Sequence, residues 1–336
     1  MNIGFIMYDW KDIDPELDSS FRLVHECVIR NHKVSIIYSS EMFIQKNKVC
    51  SYCHIVNHKD VYSSDMNEFY EHTTLTKEFQ PMGVHDVIFL RDNPPLDFPM
   101  LNFLDSLNDS ILFINSLSGI RKANNKIYPA SFNSLFNSKH NNNKLVPTTS
   151  ISRNKEYLKQ VINEYEGDKL ILKPIDGFGG TGIILLDKSS KSCSKNINSL
   201  LDFYIDYSGK NNYILLQEYI EPELKGDIRI IMLNGKPLGS IRRIPADDDH
   251  RSNYHAGGRF LPHKLSTIEL ELCSFIGPQL VKDGLYLVGI DVMGGKLIEV
   301  NPCSPGGIKE INEFNDSQIQ IDIINFVERK INSLIK

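Results

Sequence analysis

The first third of the chain alternates short apolar runs with amphipathic stretches. Four apolar runs predict buried strands, at residues 2–8, 33–38, 87–90 and 111–115. After the first run, Asp18 can cap a helix in which Phe21, Val24 and Val28 follow helical spacing, and residues 96–107 predict a second helix. Because strands that alternate with helices form parallel sheets covered by helices, we expect an α/β domain here.

The rest of the chain mixes helices with antiparallel strands. After a helix at residues 153–165, apolar runs predict strands at residues 169–174, 183–186 and 213–219. Asn234-Gly235 and Gly294-Gly295 are hairpin signals, and each is flanked by two runs with strand character. Residues 137–144 and 188–198 are rich in Asn, Ser and Lys, and we interpret them as surface loops. These elements predict an α+β unit behind the α/β domain.

Composition and charge narrow the class of protein. The chain has 336 residues, 41% of them hydrophobic, which is enough for more than one core. Its formal net charge of −5 gives no general attraction for nucleic acid or anionic lipid, so we expect neither partner. Six cysteines do not make a disulfide framework. Because no apolar run suits a membrane span or a secretion signal, we expect a cytoplasmic protein with reduced thiols.

A glycine-rich segment follows the predicted strand that contains Lys173. Glycine occupies positions 177, 179, 180 and 182, so the backbone can present N–H groups to an anion, and Lys173 adds a positive charge. The segment is neither a Walker loop nor a dinucleotide fingerprint, because no Gly-Lys-Ser/Thr follows and the next element is a strand. Phosphate binding and a mobile connector between strands are both consistent with this pattern.

Three side chains with oxygen donors lie on the second predicted hairpin. Glu299 and Asn301 are two residues apart on one strand and share a face. A strict two-residue turn would place Glu299 opposite Ile290, whereas one bulged residue would place it opposite Asp291. The strands are otherwise apolar, and unpaired acids are costly in a buried sheet. We therefore favour a Mg²⁺ site over a solvated acidic face, because Mg²⁺ prefers carboxylate and phosphate oxygens.

The first predicted hairpin carries charges of both signs. Asp227 and Arg229 share a face, and the turn decides whether Arg242 or, with a bulge, Arg243 joins them. Arginine suits a two-pronged grip on carboxylate or phosphate. Taken alone, the cluster is more typical of a surface ladder of ion pairs.

Residues 245–258 form a long polar segment that contains paired glycines. Such a segment beside a candidate site is typical of a lid, and an ordinary exposed loop is the alternative.

A zinc site built from Cys50, Cys53, His54 and His58 is rejected. Residues 48–56 predict a strand, which would send Cys50 and Cys53 to opposite faces, and the sequence has no second Cys-x-x-Cys motif.

In their order and spacing, these motifs resemble the bacterial glutathione synthetases of the ATP-grasp superfamily, along nearly the whole chain. The matching segments are Asp18-Ser19-Ser20-Phe21, Leu90-Arg91-Asp92-Asn93-Pro94-Pro95, Leu172-Lys173-Pro174-Ile175-Asp176-Gly177-Phe178-Gly179-Gly180, Gly226-Asp227-Ile228-Arg229, Arg243-Ile244-Pro245, His255-Ala256-Gly257-Gly258-Arg259, Gly289-Ile290-Asp291 and Glu299-Val300-Asn301. The resemblance implies an α/β N-terminal domain at residues 1–122 followed by an α+β ATP-grasp fold. Within that fold, residues 123–212 would form a lid subdomain with the glycine-rich loop. Residues 213–336 would form a C-terminal subdomain with the metal and substrate site.

The resemblance also implies roles for individual residues. The catalytic side chains would be Arg229 and Arg243. ATP would be bound by Lys126, Lys173, Gly177, Phe178, Gly179, Gly180, Gln217, Glu218, Tyr219, Ile220 and Asp227. The substrates would be bound by Ser20, Arg91, Arg251, Asn253, Ser304 and Gly306. The metal ligands would be Asp291, Glu299 and Asn301.

The implied activity is the ATP-dependent ligation of γ-glutamylcysteine and glycine through an acyl phosphate, which gives glutathione, ADP and phosphate. ATP and Mg²⁺ would be required, with Mn²⁺ as an alternative ion, and the protein would be a homo-oligomer. Two positions depart from the family pattern, which usually has Thr where this chain has Gly306 and often an acidic residue where it has Asn125. These departures keep open a related ligase with another acid or amine. A nucleotide-binding regulator without turnover is a third alternative, which the complete set Asp291, Glu299 and Asn301 disfavours.

Overall fold

The fold consists of three sheets with helices packed against them. The computed structural model describes residues 1–58, 65–93, 95–107, 111–135, 145–175, 182–189, 191–206, 209, 211–221, 226–245 and 259–334. Within these residues the sheets have six, four and five strands.

The first sheet is mixed. Its strands are β1 (Asn2–Ile6), β2 (Lys33–Gln45), β3 (Lys48–His58), β4 (Thr73–Pro81), β5 (Val87–Leu90) and β6 (Leu112–Ile114), and they lie in the order β4-β3-β2-β1-β5-β6. The strands β2, β1, β5 and β6 are parallel, as predicted. However, β3 and β4 extend the sheet in antiparallel orientation, so the expectation of a purely parallel sheet is wrong.

The antiparallel part arises from a hairpin between β2 and β3. The strand β2 continues past residue 38, where the prediction ended it, and its last residue Gln45 pairs with Lys48. Lys46 and Asn47 close the turn with φ angles of 49° and 61°. A tight hairpin needs positive φ at both central residues, and this pair is not one of the glycine-containing pairs that signal such a turn.

Helices cover both faces of the first sheet. They are α1 (Ser19–Ile29), α2 (Met66–His72), α3 (Phe98–Asp105) and α4 (Leu117–Ala123), whereas the next helix, α5 (Ile127–Leu135), buries Tyr128 and Phe132 in the core of the five-stranded sheet. Phe5 and Phe89 pack with α1 on one face, whereas Ile88 and Leu90 pack with α3 and α4 on the other. The predicted cap is present, because the Asp18 carboxylate accepts a hydrogen bond from the Phe21 backbone N–H at 2.8 Å.

The second sheet is antiparallel and carries two helices. Its strands are β7 (Thr149–Ser152), β8 (Lys169–Pro174), β9 (Ile184–Asp187) and β10 (Ile214–Glu218), in the order β7-β10-β8-β9. The helices are α6 (Lys155–Glu164) and α7 (Lys191–Asp206). The interpretation of residues 188–198 as a loop is therefore wrong. Leu201 and Ile205, one helical turn apart, are buried against this sheet and anchor α7, whose polar first half hid the pattern.

The third sheet contains both predicted hairpins. Its strands are β11 (Asp227–Leu233), β12 (Lys236–Ile244), β13 (Arg259–Pro262), β14 (Leu287–Met293) and β15 (Lys296–Asn301), in the antiparallel order β13-β12-β11-β14-β15. The last helices are α8 (Thr267–Lys282), α9 (Ile308–Asn315) and α10 (Ile319–Leu334). The predicted fold class, an α/β domain followed by an α+β unit, is confirmed.

One apolar core joins the first and third sheets. Phe21 of α1, Ile241 of β12, Ile311 of α9 and Val327 of α10 are all buried in it. Residues that follow β5 and β6 contact the start of β14 and the segment after β15, because Asn115 binds Leu287 and Pro302 and Arg91 binds Pro305. In the described part of the chain, no helix is both long and apolar enough to cross a membrane.

Candidate active site

The first part of the site is the face that β11 and β12 share. A register shift between Ile231 and Met232 places Asp227 opposite Arg243. Arg243 Nε lies 2.7 Å from Asp227 Oδ1, and Arg243 Nη2 lies 2.8 Å from Asp227 Oδ2. The structure thus selects the bulged alternative, and Arg242, as the next residue on the strand, points to the opposite face.

Asp291 of β14 lies between two arginines. Arg229 Nε and Nη2 lie 2.6 and 3.1 Å from its two oxygens. Arg243 Nη2 lies 2.8 Å from Asp291 Oδ2. Burial opposes ionisation of Asp291, but the two guanidinium groups outweigh it and hold the pKa of this carboxyl well below its usual range. A phosphate or carboxylate that enters here meets two arginines already oriented for two-pronged contacts.

The three predicted metal ligands lie together on β14 and β15. A register shift between Asp291 and Val292 places Asp291 opposite Glu299, which is again the bulged alternative. The Asn301 side-chain amide lies 3.3 Å from Asp291 Oδ2. Two carboxylates and an amide oxygen on one face form a donor set that suits a hard cation such as Mg²⁺. The residues present therefore fit a divalent ion at this position.

Two lysines face the acidic strand from neighbouring elements. Lys173 of β8 is buried, and its ammonium group donates to Gln217 Oε1 at 2.9 Å. Lys126 directly precedes α5, and its Nζ lies 3.3 Å from Glu299 Oε1. Burial lowers the pKa of Lys173 to about 8, Glu299 opposes that change, and the nearby positive charge of Lys126 adds to it. Two lysines that converge beside Arg229 and Arg243 suit a polyanionic ligand.

The end of β10 is fixed by its polar side chains. Gln217 binds Lys173 and also donates to Thr149 Oγ1 at 3.0 Å. The Glu218 carboxylate accepts from the Thr148 backbone N–H and from Lys296, each at 2.9 Å. These side chains are occupied by protein contacts. A ligand beside Tyr219 and Ile220 would therefore meet the backbone after β10.

Arg91 links the first sheet to the segment that follows β15. Its Nε donates to Ser20 Oγ at 2.9 Å, and its Nη2 donates to the Pro305 carbonyl at 3.2 Å. Burial lowers the pKa of Arg91 to about 10. Its Nη1 is buried without a hydrogen-bond partner among the described residues. A buried guanidinium nitrogen without a partner is a donor suited to an anionic ligand.

Ser304 and Gly306 lie in the same segment. The Ser304 hydroxyl donates to the Asp92 carbonyl at 2.9 Å. The Gly306 carbonyl lies 3.5 Å from Arg229 Nη1, at the edge of the Arg229–Asp291 pair. A Cβ added at Gly306 would meet no atom within 4 Å, so the missing side chain leaves open space next to the arginine cluster.

Several predicted site residues lie outside the described residues. They are Gly177, Phe178, Gly179 and Gly180 of the glycine-rich loop and Arg251 and Asn253 of the predicted lid. Of the lid segment 245–258, only Pro245 is described.

Two residues that touch the site region were missed from the sequence. The Asn115 side chain follows β6 and binds backbone groups of β14 and of the segment after β15. The Ser19 hydroxyl accepts from the backbone N–H groups of Gly307 and Ile308, each at 3.2 Å. The signal available for Asn115 was a polar residue at the end of a predicted buried strand, and Ser19 lies in the family-matching segment Asp18-Ser19-Ser20-Phe21 without a predicted role of its own.

Family comparisons cover both halves of the chain. The family model described as prokaryotic glutathione synthetase, N-terminal domain, matches residues 1–121, and the one described as prokaryotic glutathione synthetase, ATP-grasp domain, matches residues 126–316. The glutathione synthetase of Thermosynechococcus vestitus is 30% identical over 95% of this chain and 97% of its own length. That of Agrobacterium fabrum is 31% identical over 98% of this chain and 97% of its own length.

Solved structures with a similar fold include the following two. The D-cycloserine synthetase DcsG has a TM-score of 0.62 at 13% identity, with 98% of this chain and 99% of that chain covered. The RimK domain protein ATP-grasp from Sphaerobacter thermophilus has a TM-score of 0.61 at 12% identity, with 97% and 99% covered. At these identities the likeness concerns the fold alone, which is the ATP-grasp fold.

Proposed function

Because the chain belongs to the prokaryotic glutathione synthetase family and is an ATP-dependent ligase, we propose that it joins γ-glutamylcysteine to glycine and so forms glutathione. The observation that carries the proposal is the cluster around Asp291. Two arginines contact this carboxylate, and the second oxygen donor Glu299 lies opposite it. Relatives named glutathione synthetase align over nearly their full length, which supports the same reaction for this chain.

The chemistry is carboxylate activation in two steps. An oxygen of the cysteinyl carboxylate attacks the γ-phosphorus of ATP, the bond to the bridging β–γ oxygen breaks, and ADP and an acyl phosphate result. The amine of glycine then attacks the acyl carbon, the bond between that carbon and the phosphate oxygen breaks, and the amine loses a proton as phosphate leaves. Neither step needs a strong base, so the site works by position and charge.

The cationic side chains divide this work. Lys126 and Lys173 hold the ATP phosphates, and the segment 177–182 with Gly177, Phe178, Gly179 and Gly180 folds over them. The backbone at the end of β10 and just after it, at Gln217, Glu218, Tyr219 and Ile220, meets the adenine. Arg229 and Arg243 grip the reacting phosphoryl and carboxylate groups. Asp227 fixes the Arg243 guanidinium through the paired contacts at 2.7 and 2.8 Å.

Asp291, Glu299 and Asn301 hold a divalent cation, which we propose to be Mg²⁺, with Mn²⁺ as the alternative. When bound, the ion neutralises charge on the phosphate oxygens. Both oxygens of Asp291 are engaged by Arg229 in this structure. Arg243 also contacts Asp291, so an arriving phosphate that gives both arginines a new partner would leave Asp291 available as a ligand.

The donor peptide is bound by residues of the N-terminal domain and of the segment after β15. Arg91 and Ser304 hold γ-glutamylcysteine, and Ser20 orients Arg91 through the contact at 2.9 Å. Gly306 lies beside Arg229 and lets the backbone approach the donor. The segment 245–258, with Arg251 and Asn253, closes over the substrates and keeps water from the acyl phosphate.

We also propose a three-part organisation, a location and an assembly state. Residues 1–122 form the N-terminal domain, residues 123–212 the subdomain that covers the nucleotide, and residues 213–336 the subdomain with the metal site. The protein acts in the cytoplasm as a homo-oligomer on small molecules.

An assay of product formation tests the proposal. Purified protein is incubated with ATP, Mg²⁺, a γ-glutamyl dipeptide and one amine from a panel, and ADP and peptide are quantified by chromatography and mass spectrometry. We expect glutathione and ADP in equal amounts from γ-glutamylcysteine and glycine. Turnover only with another acid or amine would identify a related ligase. Nucleotide binding without turnover on any pair would identify a regulator, and either outcome would reject the proposed reaction.

A further inference from the structure

The segment 302–307 connects the metal-ligand strand β15 to helix α9 and is held from outside by the N-terminal domain. It starts directly after Asn301 and contains Ser304 and Gly306. The segment has no strand or helix of its own, and Ser304 and Gly307 have positive φ angles of 41° and 110°. A connector with two such residues depends on outside contacts to keep one conformation.

Asn115 supplies the contact at the start of the segment. It is 2% exposed, and its amide nitrogen donates to the carbonyls of Pro302 and Leu287, each at 2.7 Å. Its amide oxygen accepts from the backbone N–H groups of Tyr286 and Leu287, at 2.6 and 2.7 Å. Two N–H donors and one carbonyl oxygen with two lone pairs are the whole capacity of an asparagine side chain. One residue of the N-terminal domain therefore joins the start of β14 to the start of the segment.

Ser19 supplies the contact at the other end. The N-cap of α9 is Gly307, which has no side chain to cap the helix. The Ser19 hydroxyl, on α1, accepts from the backbone N–H groups of Gly307 and Ile308 and so caps α9 from another element. Between the two ends, the backbone of Asp92 and the side chain of Arg91 bind Ser304 and Pro305.

From this arrangement we infer that Asn115 and Ser19 are positioning residues for the donor peptide. They act through the segment 302–307, whose shape they set, and neither one belongs to the site assigned above. The inference rests on the proposed function, because that proposal places the donor peptide against Ser304 and Gly306. That proposal assigns the ATP phosphates to Lys126 and Lys173, whose side chains bind Glu299 and Gln217. Measuring donor binding and nucleotide binding separately therefore distinguishes an effect on the segment from an effect on the nucleotide site.

The experiment measures two affinities for three variants by calorimetry, with saturating Mg²⁺ and at a temperature where each variant is folded. Ser19→Ala and Asn115→Ala each remove one end of the support. Ser116→Ala is the matched control, because the Ser116 hydroxyl contacts the Asp283 carbonyl at 3.2 Å across the same domain interface but does not touch the segment. The ligands are the non-hydrolysable nucleotide AMPPNP and, with AMPPNP bound, γ-glutamylcysteine.

Ser19→Ala removes two hydrogen bonds and Asn115→Ala removes four. We expect each variant to weaken γ-glutamylcysteine binding by at least about tenfold and to change AMPPNP binding by less than about twofold. Ser116→Ala should change neither affinity. Unchanged donor binding in Ser19→Ala would overturn the inference even if Asn115→Ala does not fold. Equal weakening of both ligands in all three variants would also overturn it, because it would indicate a general structural role. A wild-type protein that binds AMPPNP but not γ-glutamylcysteine would instead reject the proposed function.

Discussion

Replacing Lys173 with methionine removes one charge from the proposed phosphate site and keeps a similar side-chain length. Lys173 is 8% exposed, and its ammonium group donates to Gln217 Oε1 at 2.9 Å. Burial lowers the pKa of Lys173 from 10.5 to about 8, so folding with a charged side chain costs about 3 kcal/mol near neutral pH. The methionine variant avoids this cost, but it also loses the hydrogen bond to Gln217, which offsets about 1–2 kcal/mol of the gain in stability. We expect Lys173→Met to be about 1–2 kcal/mol more stable than the wild-type protein.

The difference in stability between Lys173→Met and the wild-type protein should depend on pH. Because the pKa of Lys173 is lower in the folded than in the unfolded chain, the penalty is complete below pH about 8 and fades as the pH rises toward 10.5. The stability advantage of Lys173→Met should therefore shrink across that window. Urea unfolding at pH 7 and pH 10 measures the difference for both proteins.

Activity should change in the opposite direction to stability. A preorganised cation at a reacting phosphate contributes about 3–4 kcal/mol, so we expect at least about a hundredfold loss of kcat in an ADP-release assay. Lys159→Met, which removes the Lys159–Glu156 pair on the surface of α6, is the control and should keep wild-type turnover. Wild-type turnover in Lys173→Met would remove Lys173 from the site, and a stability loss of several kcal/mol would refute the burial argument.

Three further predictions follow from the same site. Asp291→Asn and Glu299→Gln should each raise the Mg²⁺ concentration needed for half-maximal activity at least about tenfold, because each removes a charged ligand; an unchanged titration curve in both would remove the metal assignment. Residues 245–258 should be cleaved by protease in the empty protein and protected with ATP and γ-glutamylcysteine; equal cleavage would indicate an ordinary loop. As the acceptor amine, glycine should give a kcat/KM at least about tenfold higher than alanine or β-alanine, and comparable use of either would contradict a small acceptor pocket. Because there is open space at position 306, Gly306→Thr should keep both the fold and the preference for glycine.

The sequence predicted the elements of the site better than their registers. The hairpins around Asn234-Gly235 and Gly294-Gly295 were correctly located, but periodicity could not choose between Arg242 and Arg243. That choice depends on a register shift between Ile231 and Met232 in the β11–β12 pair, where β12 carries one extra residue. The same reason left the pairing of Asp291 with Glu299 open until the structure showed the shift in β14.

Other differences between the predictions and the structure arise from long-range contacts and from polar residues that obscure a helical pattern. The β2–β3 hairpin uses Lys46 and Asn47 at positive φ, a turn that these residue types do not signal. The helix α7 begins with polar residues, and its buried positions Leu201 and Ile205 come only in its second half. The contacts of Asn115 with Leu287 and Pro302 join parts of the chain that are far apart in sequence, so no local pattern could reveal them.

The most direct test of carboxylate activation at this site follows one oxygen atom. γ-Glutamylcysteine labelled with ¹⁸O in both oxygens of its cysteinyl carboxylate is incubated with the protein, Mg²⁺, ATP and glycine, and the released phosphate is examined by ³¹P NMR. Because the attacking carboxylate oxygen leaves with phosphate, each phosphate should carry one ¹⁸O atom. Glutathione formation accompanied by unlabelled phosphate would contradict the acyl-phosphate route, and with it the roles given to Arg229, Arg243 and Lys173.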